Sequence, residues 1–129
     1  MLIAVPKEIR DGELRVALVP DIINKLTRLG LDVAIESGAG VGAQASDDAY
    51  RAAGAQVISG DVLKSADVIL SVTALTPAQI ATLKKGAITI SFLSIVNQRE
   101  SIEAAVKAGV TAFSLELVPR ISRAQSMDA

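Results

Sequence analysis

Cysteine and histidine are both absent from this 129-residue chain. Their absence removes disulfides, thiol nucleophiles, the commonest zinc ligands and imidazole acid–base chemistry together. Tryptophan is missing too, and only one Tyr and two Phe are present, so any core must be built from Val, Ile, Leu and Ala. A core of that kind favours parallel strands covered by helices. With 13 basic and 14 acidic residues the net charge is −1, and no Lys/Arg tract is available to neutralise a nucleic-acid backbone. No apolar run approaches the ~20 residues of a membrane span, and Met1 to Val5 is too short for a signal segment before Pro6-Lys7-Glu8. The residues that remain predict one soluble domain with no internal repeat and no metal site.

What is present alternates between strand and helix. Leu2 to Val5 reads as a short buried strand ended by Pro6, and a charged loop then runs from Lys7 to Arg15. Arg15 stands at the foot of the apolar run Val16 to Val19, placed to point into a cleft beneath the first strand. Pro20-Asp21 opens a helix with Ile22, Ile23, Leu26 and Leu29 on one face, closed by Gly30. Leu31 to Glu36 is the second strand, Asp47 to Ala53 a short helix, Ala55 to Ile58 a third strand and Asp61 to Ser65 a helical turn. Asp67 to Val72 is apolar at nearly every position and therefore central. A helix from Ala78 to Leu83 behind Pro77, a strand from Ala87 to Leu93, a helix from Gln98 to Ala108 and a strand from Val110 to Val118 follow. Six strands with helices between them make an α/β fold, a Rossmann-like (flavodoxin-like) doubly wound and mostly parallel sheet. Ligands are then expected at the carboxyl ends of the strands: Pro6 to Arg15, Thr73 to Thr76, Ser94 to Asn97, and Pro119 onward.

Two stretches invite a functional reading. Gly38-Ala39-Gly40-Val41-Gly42-Ala43 follows a strand and fits G-x-G-x-x-A, with Asp61 about twenty residues beyond. In a true dinucleotide fingerprint the helix begins within the glycines, whereas here its start signal, Ser46-Asp47-Asp48, comes after them. A structural glycine loop is the better reading. At the other end, Arg120, Ser122, Arg123, Gln125 and Ser126 put two fixed positive charges, an amide and two hydroxyls within seven residues. That set suits a polar, partly anionic ligand, but from spacing alone a solvated helix start, with Ser122 as N-cap and Arg123 on an exposed first turn, is the better reading.

The blocks Ile3-Ala4-Val5-Pro6-Lys7-Glu8, Glu13 to Pro20, Glu36-Ser37-Gly38-Ala39-Gly40 and Pro119-Arg120-Ile121-Ser122-Arg123-Ala124-Gln125-Ser126-Met127-Asp128 together resemble the amino-terminal domain shared by alanine dehydrogenase and the alpha subunit of proton-translocating NAD(P) transhydrogenase. The last block is the most specific and belongs to the transhydrogenase branch. The resemblance implies that residues 1–129 form this one domain and that a separate NAD-binding domain, carrying the dinucleotide fingerprint, lies outside the present sequence. It also implies NAD(H) in the full subunit, NADP(H) on a partner subunit, and hydride transfer between them coupled to proton movement. Within that scheme Arg120, Ile121, Ser122 and Gln125 would border the nicotinamide, with no residue of this chain catalytic in its own right. The expected partners are the second NAD-binding domain, the beta and membrane subunits, and a second alpha subunit in a homodimer. The expected location is the cytoplasm, peripheral on the cytoplasmic face of the membrane. Alanine dehydrogenases hold a keto acid with an arginine matching Arg15, a lysine and a histidine, and the last two positions are Thr73 and Ser94 here. An amino-acid oxidoreductase and a non-catalytic module that pairs with a full-length subunit are the alternatives. By itself the 129-residue chain is expected to be inactive.

Overall fold

The computed structural model describes residues 1–9, 13–93 and 98–114. Its strands are β1 (Leu2–Val5), β2 (Asp32–Glu36), β3 (Gln56–Ile58), β4 (Val68–Thr73), β5 (Ile88–Leu93) and β6 (Thr111–Ser114). The helices are α1 (Pro20–Arg28), α2 (Asp47–Ala52), α3 (Pro77–Ala81) and α4 (Gln98–Ala108). The strands form one sheet in the order β3-β2-β1-β4-β5-β6, and every pairing is parallel. This order reverses direction between β1 and β4, which makes their carboxyl ends the topological switch point of a doubly wound sheet.

Strand alternation builds two cores from one sheet. Ile3 and Val5 of β1 and Val33 and Ile35 of β2 pack with Ile23 of α1 and Tyr50 of α2 on one face. Ala4 and Ile69 pack with Val62, Leu63, Ile80 of α3 and Ala105 of α4 on the other. Burying an aliphatic side chain contributes about 1.5–3 kcal/mol, so these two layers supply the drive to fold mainly from aliphatic residues, with Tyr50 a buried aromatic among them.

Local signals explain where the elements begin. Ser46 caps α2 by accepting from the Ala49 amide at 3.1 Å. Thr76 and Gln79 form a reciprocal capping box at α3, the pairing that a Thr followed three residues later by a Gln allows. Three expectations need correction. In α1 the apolar face is not uniformly inward: Ile23 is fully buried, whereas Ile22 is 39% and Leu29 75% exposed. Those two lie on the flank turned away from Ile23, and the short helix touches the sheet along only one edge of its apolar stripe. Residues 61–65 form no helix, because the Asp61 carboxylate accepts from the Leu63 amide at 2.8 Å and makes a side-chain-closed turn instead. Helix α3 ends at Ala81, two residues before Leu83.

At the opposite, amino-terminal edge of the sheet, Asp67 fastens the first residue of β1. Its carboxylate accepts from the Leu2 amide at 2.7 Å and pairs with Lys84. These contacts, Lys84 first and the Leu2 amide second, hold the Asp67 carboxyl below its ordinary range.

Candidate functional site

The chain leaves β1 at Pro6, and the next two residues turn in different directions. Glu8 reaches across to the end of β4, where its carboxylate accepts from the Val72 amide at 2.9 Å, the Thr73 amide at 3.0 Å and the Thr73 hydroxyl at 2.8 Å. Strand β1 pairs with β4 only at Ile3 and Ala4, so Glu8 takes donors lying beyond the paired stretch. Lys7, in contrast, lies toward β2. Its amide donates to Glu36 Oε1 at 2.8 Å, and its amine approaches Gly38.

Beside Lys7 opens a cleft of about 270 Å³ lined by Lys7, Glu8, Glu13, Leu14, Arg15 and the glycine loop at Gly38, Ala39, Val41 and Gly42. Arg15 lines it as the sequence suggests, but its geometry is set by a neighbour. Glu13 accepts from Arg15 Nε at 2.8 Å, Nη2 at 2.7 Å and the Arg15 amide at 3.0 Å. The Glu13 side chain is only 7% exposed while that of Arg15 is 62% exposed, so the carboxylate is the anchor and the guanidinium the projecting group. This contact raises the Arg15 pKa above its ordinary value. Two of the five guanidinium N–H donors are engaged by Glu13, which leaves three to face solvent or a ligand.

The glycine loop forms a wall of this cleft. Several of its amides are committed within the loop: Ala39 donates to Glu36, Val41 to Gly38, and Ala43 and Ala45 both to Gly40. The Gly38 amide donates to Asp47 Oδ1 at 2.9 Å, and the Ser37 hydroxyl to Asp47 Oδ2 at 2.6 Å. Those two bonds hold the Asp47 carboxyl below its ordinary range. The glycines serve close packing. A Cβ on Gly40 would stand 2.6 Å from the Tyr50 ring, and one on Gly42 would stand 2.9 Å from the Leu14 backbone. Helix α2 begins at Asp47, after the loop, and the glycines themselves hold only a single 3-10 turn, Val41–Ala43.

Tyr50 ties the far side together. Its ring is fully buried, and its hydroxyl donates to the Leu18 carbonyl at 2.7 Å across 32 residues of sequence. Burial raises its pKa, with the nearby Asp47 charge adding to the effect. Through this bond α2 fixes the 13–19 segment that carries Glu13 and Arg15.

The cleft can therefore hold and orient a small polar or anionic group on Lys7 and Arg15. Glu8 and the Thr73 hydroxyl are occupied with each other, and arginine stays protonated at any working pH, so positioning is the chemistry these side chains offer. Of the residues singled out in the sequence, Arg15 and Thr73 are brought to neighbouring walls of the β1 loop. Ser94, Asn97, Arg120, Ile121, Ser122, Arg123, Gln125 and Ser126 lie outside the described residues. Glu8 and Tyr50 were missed because their partners stand 65 and 32 residues away, and Glu13 because a charged loop does not show which of its carboxylates will be buried against Arg15. No described helix is long and apolar enough to cross a membrane.

Comparison with known proteins agrees with this geometry. The family model "Alanine dehydrogenase/PNT, N-terminal domain" matches residues 4–129. The chain is 46% identical, over 99% of its length, to the first portion of the NAD(P) transhydrogenase alpha subunit of Rhodospirillum rubrum, and covers 35% of that protein. Against alanine dehydrogenase 1 of Staphylococcus aureus the identity is 34% over 97% of the chain, covering 34% of that enzyme. The solved transhydrogenase from Sinorhizobium meliloti superposes with a TM-score of 0.88 at 41% identity, covering 99% of this chain and 39% of that one. A solved L-alanine dehydrogenase superposes with a TM-score of 0.86 at 34% identity, covering 96% and 35% respectively. The chain thus spans roughly a third of the length of these relatives, and it belongs to the alanine dehydrogenase/PNT N-terminal domain family.

Proposed function

We propose that this chain is the amino-terminal region of the NAD(H)-binding alpha subunit of a proton-translocating NAD(P) transhydrogenase. The observation that carries the reading is the 46% identity over nearly the whole chain to a transhydrogenase alpha subunit, against 34% to an alanine dehydrogenase. The Glu8–Thr73 interlock is consistent with it, since the position that carries a lysine in alanine dehydrogenases holds a hydroxyl committed to a carboxylate here. In this reading a second domain binds NAD(H), a partner subunit holds NADP(H), and hydride passes directly between the two rings while a membrane subunit moves protons. The protein's share of such a reaction is placement of two cofactors that carry the chemistry themselves. Arg120, Ile121, Ser122 and Gln125 border the nicotinamide, and Arg120 and Gln125 orient its carboxamide. The alpha subunit pairs with a second copy and sits peripherally on the cytoplasmic face of the membrane.

The 129-residue chain should then bind NAD weakly or not at all. Most dinucleotide affinity comes from a pyrophosphate at a helix N-terminus and a carboxylate on the ribose, and here α2 starts only at Asp47, beyond the glycines, with its first carboxylate already taken by Ser37 and Gly38. Calorimetry with NADH on this chain tests the point, and micromolar affinity would overturn it. In the complete subunit, Arg120→Ala should slow hydride transfer between NADH and an NADP analogue more than it weakens NADH binding. Efficient oxidative deamination when alanine and NAD are supplied to that subunit would instead assign it to the alanine dehydrogenase branch, which the Arg15-lined cleft also fits.

A further inference from the structure

The switch point between β1 and β4 is where a doubly wound sheet ordinarily takes its ligand, yet the open cleft lies to one side of it, against β2. Behind Glu8 the crevice is narrow. About 10 Å³ is open to the centre of a water molecule there, between Pro6, Glu8, Ser71, Thr73, Leu75 and Gln79. Ser71 is 2% exposed, and its hydroxyl is a fully buried polar atom with no hydrogen-bond partner among the described residues. A hydroxyl buried without a partner is costly, and native proteins nearly always satisfy one with a protein group or an ordered water.

We propose that this crevice is a binding site for one ordered water molecule, held by Ser71 Oγ and by the Glu8 carboxylate or the Gln79 side chain. The size admits a single water, and the mixed walls offer polar partners in Glu8, Ser71 and Gln79, whereas cavities that stay dry are apolar throughout. Lys7 and Glu8 both line the crevice, so charge does not decide its occupant, but the space is far smaller than a phosphate needs. Glu8 has its three protein donors on Val72 and Thr73, and the water continues that network into the sheet at Ser71. The natural ligand position of the fold is thereby filled from within by a carboxylate and a water, and ligand binding is displaced to the Lys7–Arg15 side. This assignment stands on Ser71 and the crevice and does not depend on the transhydrogenase reading.

The test is a high-resolution crystal structure of the chain grown with inorganic phosphate present, beside that of Ser71→Val, whose added methyl occupies the space. The expected result is a water peak within about 3 Å of Ser71 Oγ in the wild type and no peak in the variant. A dry crevice with the hydroxyl turned onto a protein carbonyl, a phosphate in the crevice, or a peak that persists unchanged in Ser71→Val would each overturn the proposal. Should Ser71→Val fail to fold, Ser71→Ala replaces it, and the expected result is a weakened or displaced peak. Cross-relaxation from long-lived water to the Thr73 amide in the ¹⁵N-labelled chain gives an independent reading. Its presence in the wild type and loss in the variant supports the site, and its absence in the wild type refutes it.

Discussion

Tyr50→Phe removes one oxygen from the middle of the molecule and nothing else. The ring remains against Gly40 and the α1/α2 core, so no cavity larger than a hydroxyl opens, but the Leu18 carbonyl loses its donor at 2.7 Å. The lost bond is worth about 1 kcal/mol net, and an acceptor left unsatisfied in a buried place costs about 1–3 kcal/mol in total, so the variant should be less stable by about 2 kcal/mol. Unfolding entropy near ~2.1 cal/mol/K per residue gives about 0.27 kcal/mol/K for a chain of 129 residues. The melting temperature should accordingly fall by about 7 °C. Urea unfolding followed by far-UV circular dichroism measures this directly, and the midpoint should fall with the slope unchanged. The wild type offers a second check, because Tyr50 is its only tyrosine and tryptophan is absent. Tyrosinate absorbance should not develop at the ordinary value of ~10 while the chain is folded. The folded pKa is raised, so this contribution to stability is full below the unfolded value and is lost as pH rises from there through the folded one. A Phe variant within about 0.5 kcal/mol of wild type would show that Leu18 finds water in place of Tyr50 and that the α2 tether is not what holds the 13–19 segment.

Glu8→Gln should cost about 2 kcal/mol, because an amide cannot accept from three donors as a carboxylate does, and the Val72 and Thr73 amides should exchange faster with deuterium while β2 amides do not. Gly42→Ala drives a methyl to 2.9 Å from the Leu14 backbone and should destabilise by about 1–3 kcal/mol, with the shift visible in the amides of the segment around Leu14 and Arg15; an unperturbed variant would mean that the glycine loop and that segment do not touch. In acid, Asp47 and Asp67 should act together. Both carboxyls are depressed, so their contribution is present above the unfolded value of ~3.9 and is lost as pH falls through the lower folded values. Asp47→Asn and Asp67→Asn should each flatten the stability profile in that range, and an acid limb of unchanged steepness in the double variant would rule these groups out as its source.

Strand and helix order were legible in the sequence because they rest on local quantities. Apolar runs such as those of β4 and β5, Pro20 and Pro77 at helix starts, and Ser46 after the glycines each act within a few residues, and parallel pairing follows once helices separate the strands. The same locality placed the start of α2 after the glycines, at Asp47 behind the Ser46 cap. Only the tertiary structure decided what the charged loop does. Lys7, Glu8, Glu13 and Arg15 look alike as solvated charges, yet the fold sends Glu8 to β4, buries Glu13 as the anchor of Arg15 and leaves Lys7 beside the cleft. It likewise turned Ile22 and Leu29 outward from a helix whose periodicity placed them with Ile23. Periodicity records which residues share a face, whereas which part of that face meets a neighbour depends on how elements far apart in the chain come to pack, and that is settled only when the sheet assembles.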